Sequence, residues 1–200
     1  EMKKAGATVF LAFTSNMASS GLRELFAELC KRKFVDAVVT GIGSVEEDVM
    51  KVQSPFLLAS FGEDDAKLHE KSINRIGNIL VPDERYEKLE RLDLEFYSGL
   101  FEKFKEKRPG GKYRAVVSPS EMAGELGKFI EKKFSKNKKA LEKSFVYWCY
   151  KNSIPICLPA PTDGAMGLHL FFFRQDFDLV LDAGADLKKF IDLAMRSKKT

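Results

Sequence analysis

Apolar residues along this chain keep two rhythms. The run at 8–13 is apolar and rich in β-forming residues, and with 35–40 and 154–158 it has the length of strands buried on both faces. Between them, apolar positions recur three and four apart, the spacing of helices that bury one stripe. The first stripe, over 19–32, predicts burial of Leu22, Leu25, Phe26, Leu29 and Cys30. After a turn at 41–44 a second helix opens at Val45, where Ser44 and Glu47 stand in the S-x-x-E relation of a capping box. Strand, helix, strand, helix at this spacing predicts a βαβ unit of an open α/β sheet.

The middle of the chain is less regular. Residues 63–86 are mixed, a helix covers 94–105, and 107–117, with Pro109, Gly110 and Gly111, reads as a surface loop. Ser118, Pro119 and Glu121 form a second capping box with proline at the first helical position, ahead of a helix that buries Met122, Leu126, Phe129 and Ile130. A lysine-rich break at 132–139 leads to a helix bearing Leu141, Phe145, Trp148 and Cys149, with Trp148 placed in the core. Residues 180–181 begin another strand, and 185–199 form a helix with the stripe Leu187, Phe190, Ile191, Ala194 and Met195. No strand follows that helix, and Glu1 precedes Met2. The expectation is therefore one domain over 1–200 that is the N-terminal and central part of a larger fold.

Composition narrows the class. With 44% hydrophobic and 31% charged residues the chain is an ordinary globular protein, and a net charge of +4 gives no signal for nucleic acid. No apolar run approaches the roughly 18 residues of a membrane span. The three cysteines, Cys30, Cys149 and Cys157, each lie in apolar patterns, which fits a reducing, cytoplasmic setting better than a disulfide framework. His69 and His169 lie far apart with no cysteine at ligand spacing, so no metal site is expected.

In an open α/β sheet, ligands bind beyond the carboxyl ends of the strands. Three strand ends here carry polar or glycine-rich residues, at 14–21, 40–48 and 161–167. Helix amides following those ends suit a phosphate or pyrophosphate. Gly41-Ile42-Gly43-Ser44-Val45-Glu46 nearly spells a dinucleotide fingerprint, but Glu46 stands where a third glycine would allow close helix–strand packing. Glu46, Glu47 and Asp48 crowd three carboxylates into one turn. They either complement the helix dipole or form a cation site facing the crevice. Asp163 sets a turn or lines the same crevice, His169 reads as a packed residue, and the lysines of 132–143 as a solvated face.

These segments together resemble the deoxyhypusine synthase family. The matching stretches are Thr14-Ser15-Asn16 with Ser19-Ser20-Gly21, Val38-Val39-Thr40 with Val45-Glu46-Glu47-Asp48, and Ile73-Asn74-Arg75-Ile76-Gly77-Asn78 through Leu80-Val81-Pro82. Pro159-Ala160 with Thr162-Asp163-Gly164, Val180-Leu181-Asp182 and Lys198-Lys199-Thr200 complete the set, in the family's order, with insertions around 107–117 and 132–139. The resemblance implies a Rossmann-like open, mostly parallel sheet with helices on both faces, assembled as a tetramer that binds NAD between subunits. It implies transfer of the 4-aminobutyl group of spermidine to one lysine of the translation initiation factor 5A precursor. In the family NAD takes hydride beside the secondary amine, and the resulting imine passes through an enzyme lysine to the factor's lysine, where it is reduced. By matching motifs Ser15, Asn16, Ser19, Gly41, Ile42, Gly43 and Asp163 would touch NAD. Glu46 and Glu47 would face spermidine, with Glu47 also near the cofactor.

The departures from the family's pattern carry implications of their own. Leu168 stands where the family has an aspartate that grips one end of spermidine, and loss of such a charge-assisted bond costs roughly ten- to a hundredfold in affinity. Thr40-Gly41-Ile42-Gly43-Ser44 replaces the family's Thr-Thr-Ala-Gly-Gly. The segment with the family's catalytic lysine lies beyond Thr200, so no residue in view takes that role by motif. These features imply a regulatory, non-catalytic paralogue that activates a catalytic subunit within a hetero-tetramer. The alternatives are a segment of an active synthase, or a binding module that keeps the fold without NAD.

Overall fold

A computed structural model describes residues 3–195. In chain order the strands are β1 (Phe10–Phe13), β2 (Ala37–Thr40), β3 (Leu57–Leu58), β4 (Ile73–Ile76), β5 (Ile79–Pro82), β6 (Lys105–Lys107), β7 (Tyr113–Val117), β8 (Ile156–Cys157) and β9 (Leu179–Leu181). The helices are α1 (Ser15–Met17), α2 (Arg23–Lys31), α3 (Ile42–Gln53), α4 (Asp65–Glu70), α5 (Asp83–Phe104), α6 (Pro119–Lys133), α7 (Lys138–Leu141), α8 (Phe145–Asn152), α9 (Ala165–Phe173) and α10 (Ala183–Met195). A π-helical turn, Ala18–Leu22, joins α1 to α2.

The apolar runs form the strands expected of them. β1, β2 and β8 make a parallel sheet in the order β1-β2-β8, with Phe13 opposite Thr40 and Val39 opposite Cys157. Helices cover both faces, giving the mixed α/β architecture with a parallel sheet. Phe13 fixes one face to the sheet: its ring stacks on Phe26 of α2 at 4.0 Å and meets the edge of Phe145 of α8 at 5.4 Å. Residues 73–82 form the hairpin β4–β5, turned by Gly77 at φ 62°, a conformation glycine tolerates best. β3 pairs antiparallel with β5 on its other edge.

Several boundaries differ from the sequence reading, each for a physical reason. The segment 107–117 is not all loop: β7 pairs parallel with β9 and antiparallel with β6. Its outward residues include Arg114, which pairs with Asp178 at 2.6 Å and gives the strand a polar look. The helix expected over 94–105 starts at Asp83, directly after Pro82, and buries Leu89, Leu92, Phe96 and Leu100 along one stripe. The helix through Leu141–Cys149 is broken in two, because Ser144 caps α8 by accepting from the Tyr147 amide. Trp148 lies at the edge of the core, half-buried, with its indole donating to the Glu142 carbonyl at 2.9 Å and Lys31 over its ring.

The stripe over 19–32 is rotated. Leu22 and Leu25 are exposed, while Arg23, Phe26, Ala27 and Cys30 are buried. The π turn inserts an extra residue into the helical register, and Gly21 (φ 109°) supplies the kink. The shift swings Arg23 inward. The box at Ser118 forms as expected, with the Glu121 carboxylate accepting from the Ser118 amide at 2.9 Å and the Ser118 hydroxyl accepting from the Glu121 amide at 3.2 Å. The box at Ser44 does not. α3 begins at Ile42 with Gly41 as its cap, so Ser44 lies inside the helix, its hydroxyl 2.6 Å from that of Thr40. On α10 only Phe190 of the expected stripe is buried; Leu187, Ile191 and Met195 are exposed. The motif Lys198-Lys199-Thr200 lies outside the described residues.

Candidate functional site

Parallel pairing of β1, β2 and β8 puts their carboxyl ends on one edge of the sheet, and the three following segments meet there. Ser15 opens α1, Ile42 and Gly43 open α3, and residues 162–166 lead into α9. The contacts are close enough to require glycine. A Cβ on Gly43 would lie 2.9 Å from Cβ of Ser15, and one on Gly164 would lie 2.7 Å from Oε2 of Glu46 and 2.8 Å from Cγ2 of Ile42. Neither α1 nor α3 is capped by a side chain, so at this edge the first amides of both helices have no side-chain partner from the cap position. Ser15, Gly41, Ile42, Gly43, Glu46 and Gly164 are thus brought together. Asn16 and Asp163 sit exposed at the rim, with Thr14 donating to the Asn16 side chain.

Glu46 is the centre of this junction. Oε2 accepts from the Met166 amide at 3.0 Å, so a residue of α3 satisfies an orphan donor at the start of α9, whose own cap position, Gly164, offers no side chain. Oε1 faces the other way, 4.0 Å from where a Cβ on Gly43 would be. The β-carbon that excludes an ordinary dinucleotide fingerprint here carries a side chain long enough to span to the third loop. Glu47, next to it, accepts from the Ser19 hydroxyl at 2.5 Å. The third acid of the trio leaves the site. Asp48 is fully buried against Arg23 at 2.5 Å and accepts from the Ser144 hydroxyl and the Val146 amide, tying α2, α3 and α8 together. All three acids lie past the first turn of α3, so the helix-dipole reading does not apply to them.

Burial sets the electrostatics. Desolvation pushes the Glu46 carboxyl up, against the Met166 amide that favours its charge. Desolvation, opposed by the Ser19 hydroxyl and aided by the charge of Glu46, pushes Glu47 up to about 7. Burial, and then the charges of Glu46 and Glu47, raise the Tyr86 phenol as well. Lys51 caps the π turn, donating to the carbonyls of Ala18 and Ser19 at 2.8 and 2.7 Å; burial and Arg23 lower its affinity for its proton. The result is a pair of crowded, buried carboxylates that resist ionisation, the Lys51 ammonium only partly offsetting Glu47. A bound cation would relieve them.

One pair lies outside the expected site. His169 Nδ1 is 2.7 Å from Oδ2 of Asp93, whose side chain is 0% exposed. His169 does pack, as its sequence context suggests, but against a charged partner. The signal in the sequence is Asp93 itself, a carboxylate on the buried stripe of α5 between Leu89 and Phe96. Leu168, one residue earlier, is exposed.

Comparison with known proteins agrees with this geometry. The family model of deoxyhypusine synthase matches residues 1–200. A "probable deoxyhypusine synthase" of Pyrococcus furiosus is 45% identical over 196 residues, covering 96% of this chain and 55% of the relative. A "deoxyhypusine synthase regulatory subunit" of Trypanosoma brucei brucei is 36% identical over 193 residues, covering 96% of this chain and 54% of the relative. The crystal structure of a candidate deoxyhypusine synthase from Entamoeba histolytica superposes with a TM-score of 0.67 at 26% identity, covering 92% of this chain and 52% of that one. The chain spans about half the length of these relatives. With the family model matched from end to end, the chain belongs to the deoxyhypusine synthase family.

Proposed function

We propose that this chain supplies the dinucleotide- and amine-holding part of a deoxyhypusine synthase subunit, in a homo- or hetero-tetramer that moves the 4-aminobutyl group of spermidine onto a lysine of the translation initiation factor 5A precursor. The observation that carries this reading is the pair Glu46–Glu47, two buried carboxylates at the meeting point of three strand ends. Nothing else in the described chain offers a polycation paired acids beside open helix amides.

The residues fit NAD. Gly41 has open space beside it, with nothing within 4 Å of where a Cβ would lie, and the starts of α1 and α3, which no side chain caps, suit a pyrophosphate. Ser15, Asn16, Ser19, Gly41, Ile42, Gly43, Glu47 and Asp163 would hold the group, which when bound supplies a hydride acceptor. The chain's own residues bind and orient. Glu46, fixed by the Met166 amide, and Glu47, fixed by Ser19, would accept from the amine's N–H groups. The amine's charge would draw the proton from Glu47, so binding near neutral pH releases a proton from that carboxyl.

Two readings share this site and differ in turnover. The higher identity to the Pyrococcus protein favours a catalytic subunit, whereas exposed, apolar Leu168 favours a regulatory one. Calorimetric titration of the full-length protein with NAD and spermidine, followed by labelled-spermidine transfer to the factor with and without a partner subunit, separates them. Transfer by the protein alone establishes the catalytic reading, and transfer only with a partner the regulatory one. Absence of both NAD and spermidine binding would overturn the proposal.

A further inference from the structure

The π turn Ala18–Leu22 carries Ser19, whose hydroxyl donates to Glu47 at 2.5 Å. A π turn disturbs the ladder in which each amide donates four residues back, which leaves carbonyls in need of donors from elsewhere. Lys51 supplies them. Its ammonium donates to the carbonyls of Ala18 and Ser19 at 2.8 and 2.7 Å, and those two residues are 0% and 2% exposed, beyond the reach of water. Lys51 stands one helical turn after Glu47 on α3, so one face of that helix bears both the carboxylate and the donor that fixes the carboxylate's partner. The Ser19 hydroxyl has a second acceptor in reach, the Ser15 carbonyl at 3.2 Å, so its hold on Glu47 depends on where the turn is placed. The half-buried stem of Lys51 carries the ammonium to 5.0 Å from the centre of the Phe56 ring. It lines a cavity of about 350 Å³ with Ser19, Gly21 and Arg23. With that space beside it and Gly21 at φ 109° within it, the turn has room to relax once the ammonium is removed.

We propose that Lys51 is a positioning residue of the amine site: by pinning the π turn it directs the Ser19 hydroxyl to Glu47 and so holds that carboxylate ready for an ammonium group. The inference rests on the amine-site reading above. It runs against simple charge counting. Lys51 is itself a cation near Glu47, and Coulomb's law alone has its removal strengthen the binding of a polyamine. Positioning gives the opposite sign. Without the ammonium the turn relaxes, the hydroxyl falls back on the Ser15 carbonyl, and Glu47 meets the ligand as an unoriented carboxylate. Glu46 and Lys51 of α3 act on the charge of Glu47, which in turn acts on Tyr86 of α5. Arg23 and Glu24 of α2 act on Lys51, as do Glu47 and Asp48 of α3.

The test uses full-length protein, with spermidine affinity measured by calorimetry at pH 8.5, where Glu47 is ionised. The variants are Lys51→Met, which keeps the stem over Phe56 but no donor, Lys51→Arg, which keeps donors and charge, and Ser19→Ala. Lys51→Gln, whose amide is too short to span to both carbonyls, stands in should Lys51→Met fail to fold. Lys51→Met should lower affinity about tenfold and Lys51→Arg should restore it. Ser19→Ala should cost about tenfold in the wild type and nothing further in the Lys51→Met background. An unchanged or raised affinity in Lys51→Met, a fall that Lys51→Arg does not restore, or losses that multiply in the double variant overturns the role of Lys51 while leaving the amine site standing. Failure of the wild type to bind spermidine overturns the amine site and, with it, any role of Lys51 in binding. The tie itself is read without ligand, by NMR titration of the Glu47 carboxyl. Ser19→Ala should raise its midpoint in the wild type and leave it unmoved in the Lys51→Met background, and an equal rise in both refutes the proposal.

Discussion

Replacing Glu47 by Gln isolates the energetic burden of one crowded carboxylate. The carboxyl titrates near 4.5 in an unfolded chain and at about 7 in the fold, where burial and Glu46 oppose its charge. The folded state holds this proton more tightly than the unfolded state between those values. Stability from this group is therefore fully present below pH 4.5 and is lost as pH rises through 7. At about 1.36 kcal/mol per pH unit the loss is roughly 3 kcal/mol. Glutamine resembles the protonated form and still accepts from the Ser19 hydroxyl, so the variant escapes the loss. Urea denaturation should find the two proteins alike near pH 4.5 and Glu47→Gln more stable by up to about 3 kcal/mol at pH 8. The same substitution should weaken spermidine binding about ten- to a hundredfold by removing a charged acceptor. A stability difference that stays flat between pH 4.5 and 8 would refute the reasoning, because it would mean that Glu47 ionises freely in the fold.

Other substitutions probe the frame around the site. Asp48→Ala should cost about 3–5 kcal/mol in denaturant unfolding, since it leaves Arg23 buried without its partner. Gly164→Ala should cost about 1–3 kcal/mol and lower affinity for spermidine, because the new methyl group collides with Glu46 and Ile42; unchanged affinity would show that Glu46 does not hold the amine. Ser118→Ala should lower stability by about 0.5–2 kcal/mol with no change in ligand binding, a control for damage remote from the crevice.

The sequence makes the crevice legible because strand ends are written locally. An apolar run followed by Thr-Ser-Asn, by Thr-Gly-Ile-Gly or by Pro-Thr-Asp-Gly places each tip, and parallel pairing then brings the tips together. What the sequence hides depends on register or on distant partners. The face of α2 could not be read in full through the π turn, since the kink at Gly21 turns Leu22 and Leu25 outward and Arg23 inward while Phe26 and Cys30 stay buried. Ser44 and Glu47 have capping-box spacing, but α3 starts two residues before Ser44 and Ser19 claims the carboxylate. β7 is hidden by Arg114, whose counter-charge lies 64 residues away. Asp93 and His169 are 76 residues apart, and only the packing of α5 on α9 joins them.

The reach of Glu46 across the junction has a mechanical consequence. In an ordinary nucleotide-binding turn, a third glycine lets helix and strand touch while leaving neighbouring loops to fluctuate separately. Here a single carboxylate fastens the lip after β8 to the helix after β2, and Gly43 rests against the lip after β1. These ties are expected to make the three lips open together. Amide exchange at 14–16, 42–44 and 164–166 should proceed with a common opening free energy, and trimming Glu46 to Ala should let the third lip exchange on its own.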